Sequence, residues 1–277
     1  MTKFDRIAVF NDTQNWIKKD KKLSESTRKT VDFTIFYKED DDISIDNIEK
    51  NKLPTKIIVS KNSSFDAARE YTTEKVAVLN FASATNPGGG VVKGSSAQEE
   101  CLCRSSNLYN VINTRECFNN FYNPHRKNGN ALHNDDIIYS KNVIIFKRDN
   151  YNTLDPSDWK EVDVITCAAP NLRENPANQW NPNESEHIDI SDDDLFKLHV
   201  KRAKKIFKAA IANKAEVIIL GAFGCGAFRN DPEIVAKAYK SVLLEFKNYF
   251  KYIEFAVYCN EYDTTNYDVF KKVILSE

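Results

Sequence analysis

The feature that most restricts the fold is a set of short apolar runs that few polar residues interrupt. Such runs are typical of strands in a central sheet that is covered on both faces, whereas strands with one wet face alternate apolar and polar residues. The runs lie at Val76–Phe81, Val143–Phe146, Val162–Ala168, Val217–Leu220 and Ile253–Tyr258. Two short strands are also expected earlier in the chain, at Thr34–Tyr37 and Ile57–Ser60.

Helical patterns separate the later runs. Ser191 is a good N-cap, and the three aspartates after it complement the positive end of a helix. Apolar residues then recur at helical spacing from Leu195 to Ile211. A second helix is expected to begin at Pro232, since proline is favoured in the first helical position. Strands that alternate with helices predict an α/β layered domain.

Composition narrows the function classes. The 277 residues include 39 Lys and Arg against 40 Asp and Glu, so the formal charge is -1. This balance disfavours a dedicated or sequence-specific nucleic-acid binder but leaves room for a local basic patch. No apolar run approaches the ~20 residues of a membrane span, and we see no secretory signal, so a cytoplasmic protein with no membrane partner is expected. The six cysteines form no CxxC and the histidines no HExxH, so we expect reduced thiols and no metal.

Glycine is rare and concentrated. Of eight glycines, four lie within residues 88–94 and three within residues 221–226, and each group follows a predicted buried strand. Glycine lets the backbone approach a ligand, and successive N–H groups form an anion-binding nest. We therefore favour a phosphate-bearing ligand at these loops over two incidental tight turns. Neither segment fits GxxxxGK[ST] or GxGxxG, which disfavours a P-loop nucleotidase or a Rossmann dehydrogenase.

Acidic residues follow the first glycine segment. Ser96 and Glu99 have the spacing of a capping box, which predicts a helix whose first turn contains Gln98, Glu99 and Glu100. A buried stripe would then run through Cys101, Ser105, Leu108 and Ile112. Capping accounts for Glu99, and Glu100 could pair with Arg104 on an exposed face. Local sequence alone leaves catalysis and these structural roles equally open.

The paired motifs resemble a known family. Gly88-Gly89-Gly90, a seven-residue spacer and Gln98-Glu99-Glu100 are similar to the signature of poly(ADP-ribose) glycohydrolases, above all the compact bacterial-type members. The segment GAFGCGAFRNDP, from Gly221 to Pro232, resembles their diphosphate-binding loop. The order of elements from about residue 71 onwards resembles a macrodomain.

The resemblance implies an ADP-ribose pocket between the two loops and no cofactor. By analogy, Glu100 is the catalytic acid, Glu99 holds the hydroxyls of the distal ribose and Gln98 supports their geometry. Further ligand contacts are implied for Asn86, Gly88, Gly89, Gly90, Gly224, Cys225, Gly226, Ala227 and Phe228. The diphosphate would meet backbone N–H groups of residues 224–227, and Phe228 would fix the terminal ribose. The adenine-stacking residue stays open between Tyr258, Phe223 and Trp180.

The expected architecture is a three-layer α/β/α macrodomain-like fold with a central mixed sheet. Residues 1–70 would form an N-terminal extension packed on a catalytic domain of residues 71–277, and a monomer is favoured. The expected substrate is ADP-ribose polymer or ADP-ribosylated protein. Three alternatives remain: a macrodomain that binds ADP-ribose without cleaving it, a hydrolase of single ADP-ribose groups on protein or nucleic acid, and an interaction protein with incidental turns.

Overall fold

A seven-stranded mixed sheet forms the centre of the computed structural model, which describes residues 1–177 and 186–276. The strand order is β1-β4-β5-β3-β6-β7-β2. β4 is antiparallel to β1 and β5, and the five strands from β5 to β2 are parallel. The strands are β1 (Ile35–Tyr37), β2 (Lys56–Ser60), β3 (Val76–Ala82), β4 (Ile137–Ile145), β5 (Lys160–Ala168), β6 (Val217–Leu220) and β7 (Tyr252–Ala256).

Helices cover both faces of this sheet. They are α1 (Lys3–Lys19), α2 (Lys21–Asp32), α3 (Ser64–Arg69), α4 (Gln98–Ser105), α5 (Leu108–Ile112), α6 (Arg115–Cys117), α7 (Asn123–Asn128), α8 (Asp192–Ala212), α9 (Pro232–Phe246) and α10 (Thr265–Leu275). Shorter 3-10 turns lie at Val91–Lys93, Pro156–Asp158 and Lys247–Tyr249, and a π-turn lies at Phe118–Tyr122.

Successive residues of the central strands face opposite layers. Ala77 and Leu79 of β3 pack in one apolar cluster with α8, α9 and α10. Val76 and Val78 pack in a second cluster with α1, α3, α4 and α5. Because side chains alternate along a strand, a continuous apolar run supplies both layers. The predicted α/β/α arrangement with a mixed sheet is thus confirmed.

Most predicted elements occur close to their expected bounds. β6 spans the predicted Val217–Leu220, and α8 is capped by Ser191, whose hydroxyl accepts from the backbone of Asp194 at 3.2 Å. The single helix predicted after residue 98 is wrong, because the chain becomes extended at Ser106 between α4 and α5. There the side-chain oxygen of Asn107 accepts from Ile144 of β4 at 2.9 Å, and this contact turns the chain towards the sheet.

The first 70 residues are built into the sheet and its helical layer. Their strands β1 and β2 form its two edges, next to β4 and β7. Helices α1 and α2, which the sequence reasoning did not identify, pack on α4, α5 and β4. α1 also approaches the first glycine segment, where the guanidinium of Arg6 donates to the carbonyl oxygen of Gly94 at 2.6 Å.

Candidate active site

The two glycine segments lie together where the parallel strands of the sheet end. β3 and β6 are parallel neighbours, paired from Val76–Val217 to Val78–Ile219, so their carboxyl ends lie side by side. Both segments line one cleft of about 1070 Å³, the size of a large small-molecule pocket. The sequence-predicted residues on its wall are Asn86, Gly89, Gly90, Gln98, Glu99, Glu100, Gly224, Gly226, Ala227 and Phe228.

Two predicted residues lie behind this wall. A side chain at Gly88 would run into the side chains of Tyr109 and Cys103 rather than into the cleft. Cys225 packs against the core, and its backbone N–H donates to the carbonyl oxygen of Ala222 at 3.1 Å. Burial raises the pKa of the Cys225 thiol well above its usual range. Cys225 is therefore a half-buried thiol that packs behind the cleft wall.

Glu100 presents a buried carboxyl group to the cleft. It is 7% exposed, and its Oε1 accepts from the backbone N–H of Gly90 at 2.8 Å. Its Oε2 is buried and has no hydrogen-bond partner among the described residues. Leaving such an atom unsatisfied costs about 1–3 kcal/mol, which a ligand hydrogen bond would offset. This geometry requires glycine at residue 89, since a Cβ on Gly89 would lie 2.5 Å from Oε1.

Glu99 is held more tightly than Glu100. It is 3% exposed, its Oε2 accepts from the backbone of Ser83 at 2.8 Å, and its Oε1 accepts from the amide of Asn80 at 3.2 Å. Burial, and then the neighbouring charge of Glu100, raise the pKa of Glu99 to about 8. A carboxyl group with that pKa can donate a hydrogen bond near neutral pH as well as accept one.

Gln98 fixes the start of α4 against the sheet. Its Oε1 accepts from the backbone of Phe81 at 2.9 Å, and its Nε2 donates to the carbonyl oxygen of Leu79 at 2.8 Å and to the hydroxyl of Ser64 at 3.0 Å. These bonds join α4 to β3 and α3. They set the position of the two glutamates that follow Gln98 on α4.

The expected structural roles of the two glutamates are not formed. The capping-box prediction is wrong, because Ala97 is the N-cap of α4 and the carboxyl group of Glu99 bonds towards β3 instead of back to Ser96. The guanidinium of Arg104 is buried and donates to a backbone carbonyl oxygen at 2.6 Å rather than to Glu100. The buried stripe also differs from the prediction, since Cys101 is half-exposed and lines the cleft.

Asn86 is oriented by an arginine that sequence reasoning missed. Arg126 of α7 donates to the side-chain oxygen of Asn86 at 3.0 Å and to the carbonyl oxygen of Thr85 at 2.8 Å. Its guanidinium also lies 5.2 Å from the ring centre of Phe118. No local motif marks Arg126, since its partners are about 40 residues away in the chain.

The second glycine segment is held by Asn230, which was also missed. Gly224 has a φ of +80°, and a Cβ there would lie 2.7 Å from both Ala169 and Asn230. The buried amide of Asn230 donates to the carbonyl oxygens of Pro170 at 2.7 Å and Gly224 at 3.1 Å. Its side-chain oxygen lies 2.8 Å from Nε2 of His199. One buried side chain thus fixes the loop between β6 and α9.

Phe228 lies between two polar side chains of the cleft wall. The ring centre of His133 is 6.0 Å from that of Phe228, and the guanidinium of Arg173 is 5.8 Å away, within cation–π range. Arg173 in turn donates to the side-chain oxygen of Asn171 at 2.9 Å. Phe228 is therefore held in place before any ligand arrives.

The three adenine-stacking candidates have different positions. Tyr258 lines the cleft and is 71% exposed, so its ring is available to a ligand. Phe223 is 1% exposed and packs 5.6 Å from the ring of Phe81, which leaves it no face for stacking. Trp180 lies outside the described residues. Tyr258 is the candidate that the geometry favours.

Neither a metal centre nor a membrane segment is found in residues 1–177 and 186–276. No group of three or more His, Cys, Asp or Glu side chains in these ranges is arranged to hold a metal ion. No helix in them combines the length and the apolarity that spanning a bilayer requires. The polar groups that line the cleft include carboxyl groups, amides, hydroxyls, the imidazole of His133, the cations of Lys61 and Arg173, and backbone N–H groups.

A family model matches just over half of the chain. Its description is microbial-type PARG, catalytic domain, and the match covers residues 7–148. The matched range runs from α1 through β4, and so includes both the first glycine segment and Glu99 and Glu100. A comparison with curated proteins gave no match.

Solved structures of two bacterial enzymes are similar over nearly the whole chain. Poly(ADP-ribose) glycohydrolase from Thermomonospora curvata is 27% identical, with a TM-score of 0.83 over 98% of this chain and 99% of that one. The same enzyme bound to the inhibitor ADP-HPD is 27% identical, with a TM-score of 0.82 over 97% and 99%. The enzyme from Deinococcus radiodurans in complex with ADP-ribose is 30% identical, with a TM-score of 0.76 over 90% and 96%.

Proposed function

The chain belongs to the microbial-type poly(ADP-ribose) glycohydrolases, and from that membership we propose that Glu100 drives hydrolysis of the ribose–ribose O-glycosidic bond to release ADP-ribose. The observation that carries the residue assignment is Oε2 of Glu100, which is buried beside the cleft without a partner in the described chain. The other oxygen of the same carboxyl group is fixed by Gly90. A group held at one oxygen and open at the other suits directed proton transfer.

The reaction begins with Glu100 as a carboxylic acid. Its proton moves from Oε2 to the bridging oxygen of the departing ribose while the bond from that oxygen to the anomeric carbon breaks. The bond's electron pair stays with the departing oxygen, and positive charge develops at the anomeric carbon. The substrate's own diphosphate, held nearby, would stabilise that charge. The Glu100 carboxylate then takes a proton from water, whose oxygen bonds to the anomeric carbon.

Glu99 has the role of holding ribose hydroxyls rather than transferring the proton. Both of its oxygens already accept hydrogen bonds, from Ser83 and Asn80, so the carboxyl group cannot turn freely towards a leaving group. With a pKa near 8, Glu99 can also donate to a hydroxyl oxygen at neutral pH. Gln98 fixes the start of α4 against β3 and thereby holds both glutamates in position.

The diphosphate would lie on the second glycine segment. Gly224, Gly226 and Ala227 line the cleft there, and nothing lies within 4 Å of the position that a Cβ on Gly226 would take. The guanidinium of Arg173 lies close to this loop through its contact with Phe228 and supplies positive charge on the same wall. Phe228 would press on the terminal ribose, and Tyr258 would stack on the adenine.

The domain organisation, the cellular compartment and the carrier of the substrate are part of the same proposal. The sheet with its two helical layers is a macrodomain-like unit, and residues 1–70 work with it, because Arg6 supports Gly94 beside the glycine segment. The six cysteines stand free, which fits a reducing compartment such as the cytoplasm. ADP-ribose polymer is the proposed substrate and ADP-ribosylated protein its carrier.

The test compares the intact chain with Glu100→Gln and with Glu116→Gln, a matched change of an exposed glutamate that does not line the cleft. Each is given free polymer, mono-ADP-ribosylated protein and ADP-ribose. We expect ADP-ribose release from polymer by the intact chain and Glu116→Gln, and a loss of roughly 10²–10⁴-fold for Glu100→Gln. Calorimetry should show that all three bind ADP-ribose.

The alternatives predict other patterns. Binding by the intact chain without release from any substrate identifies a reader module. Release from the mono-modified protein but not from polymer identifies a hydrolase of single ADP-ribose groups. Equal release by Glu100→Gln and Glu116→Gln contradicts the assignment of the acid.

A further inference from the structure

A second cleft lies on the N-terminal part of the molecule, and most of its charged side chains are lysines. It encloses about 660 Å³ between α2, β4 and the start of β5. The charged residues on its wall are Lys21, Lys22, Lys29, Lys141, Glu25 and Glu161. We call this surface the lysine groove. It shares no lining residue with the active-site cleft.

Positive charge is concentrated around the lysine groove although the whole chain is nearly neutral. Residues 18–29 contain six Lys and Arg against two acids, in a protein whose formal charge is -1. One of those acids, Asp20, accepts from the backbone of Leu23 at 2.8 Å as the cap of α2. The other, Glu25, lies 3.8 Å from the largely exposed Lys21, a separation at which exposed ion pairs are weak. The groove therefore keeps a net attraction for anions.

The lysine groove also offers an aromatic ring and neutral polar groups. Phe33, which ends α2, lines it and is 62% exposed. Asn142 is exposed at the rim, with its backbone held by the hydroxyl of Thr30 at 3.1 Å. Cations beside an exposed ring suit a chain of nucleotide units, because phosphates pair with the cations and bases stack on the ring. Stacking on an aromatic side chain contributes about 1–3 kcal/mol per base.

Two elements connect the lysine groove to the active site. β5 runs from Lys160, beside Glu161 of the groove, to Ala168, which precedes Ala169 of the active-site cleft, and the seven steps from Glu161 to Ala168 span about 23 Å. Helix α1 begins where Lys3 contacts Gly94 and ends next to α2, and its 17 residues span about 25 Å. The two lengths agree, so one flexible polymer could reach both sites.

We propose that the lysine groove is an exosite that holds a distal stretch of the same ADP-ribose polymer whose end is cleaved in the active site. This inference rests on the proposed function. Each unit of the polymer carries a diphosphate and an adenine, which match the lysines and the ring of Phe33. The groove raises the local concentration of long polymers at the cleft. It therefore favours long polymers over short ones and leaves the rate of the chemical step unchanged.

The experiment neutralises three groove lysines together: Lys21→Gln, Lys29→Gln and Lys141→Gln. The control neutralises Lys52, Lys214 and Lys272 to Gln, which are exposed and line neither cleft. Turnover of long polymer and of the shortest two-unit fragment is measured for both, and melting temperatures confirm that both are folded. Polymer binding is measured with Glu100→Gln as the background, across a range of salt concentrations.

We expect the groove variant to lose on the order of tenfold in kcat/KM on long polymer and to keep its kcat/KM on the two-unit fragment. The slope of the logarithm of its polymer-binding constant against the logarithm of salt concentration should be shallower by about 2. The control should match the intact chain in all three. Equal losses on both substrates, or no loss on long polymer, overturn the exosite. Oligoadenylate that binds the groove as tightly as polymer overturns it in favour of a nucleic-acid site. If the intact chain cleaves neither substrate, the proposed function itself fails.

Discussion

Gly89→Ala tests whether the first glycine segment exists to make room for the carboxyl group of Glu100. Residue 89 has a φ of +56°, in the left-handed region, and an added Cβ would lie 2.5 Å from Oε1 of Glu100 and 3.2 Å from Oε2 of Glu99. Such short contacts force the carboxyl group of Glu100 to move. When it moves, Oε1 loses the hydrogen bond from Gly90 that fixes its direction.

The magnitude follows from two terms. A residue with a Cβ in the left-handed region costs about 1–2 kcal/mol. Leaving a buried polar group without its hydrogen bond costs about 1–3 kcal/mol. The free energy of unfolding should therefore fall by about 2–5 kcal/mol, which corresponds to roughly 4–20 °C in melting temperature for a chain of this size. Activity should fall further than stability, since the displaced group is the proposed proton donor.

Gly226→Ala is the matched control, because residue 226 lines the same cleft, has no positive φ and has nothing within 4 Å of a Cβ. Thermal unfolding and single-turnover release of ADP-ribose are measured for both variants. We expect Gly226→Ala to have the melting temperature of the intact chain. Gly89→Ala should melt at a clearly lower temperature and show little turnover. If Gly89→Ala is as stable and as active as the intact chain, the packing between the glycine segment and Glu100 is refuted.

Three further predictions concern the surrounding groups. The raised pKa of Glu99 means that proton binding stabilises the fold fully below its unfolded pKa near 4.5, and that this stabilisation is lost as pH rises towards 8; at about 1.4 kcal/mol per pKa unit the loss reaches a few kcal/mol. Denaturant titrations at several pH values should show this slope for the intact chain and a flatter one for Glu99→Gln, and parallel slopes would contradict it. Asn230→Ala removes the amide that holds the second glycine segment and should weaken ADP-ribose binding in calorimetry, with a loss of stability of roughly 1–3 kcal/mol; unchanged affinity would mean that the loop keeps its shape without Asn230. Cys225→Ser should leave kcat/KM unchanged, and a thiol reagent should not act through residue 225, because the raised pKa of this half-buried thiol disfavours the reactive thiolate; inactivation that Cys225→Ser abolishes would show that the thiol is reactive.

The sequence predicted the sheet well because buried parallel strands carry their signal locally. Helices cover both faces of the sheet at Val217–Leu220, so all four residues are buried. Four consecutive apolar residues therefore suffice to identify β6. β4 extends further than predicted, back to Ile137, since its first half includes Tyr139 and Ser140, which do not form an apolar run. Tyr139 is buried there because its hydroxyl donates to Asp163 at 2.7 Å.

The N-terminal helices α1 and α2 were missed because their sequences carry little local signal. Their sequences are mostly polar, and only a few residues on each, such as Phe10, Ile17 and Leu23, are buried. Helices of this kind are stabilised by tertiary contacts rather than by propensity. Their position on α4, α5 and β4 depends on the completed sheet, which no local pattern specifies.

For the site, the residues that line the cleft were more predictable than those that hold them in place. Glycines and paired acids form compact motifs, and parallel neighbouring strands bring the two segments together. Asn80, Arg126 and Asn230 act through side-chain hydrogen bonds to residues that are often distant in sequence. An asparagine or arginine has no local signature for that role, because only the folded chain reveals its partner. The capping box failed similarly, since the backbone of Ser83 competes for Glu99.

The proposed function rests on one spatial relation: the second glycine segment holds the diphosphate so that the adjoining sugar linkage meets residue 100 beside the first segment. A crystal structure of Glu100→Gln with a two-unit polymer fragment measures this directly, because the amide preserves the shape of the side chain and the bond to Gly90. The diphosphate should lie against residues 224–227, and the bridging oxygen should lie within about 3 Å of the amide at position 100. A bridging oxygen that lies outside hydrogen-bond reach of that amide, with the diphosphate bound elsewhere, would contradict it.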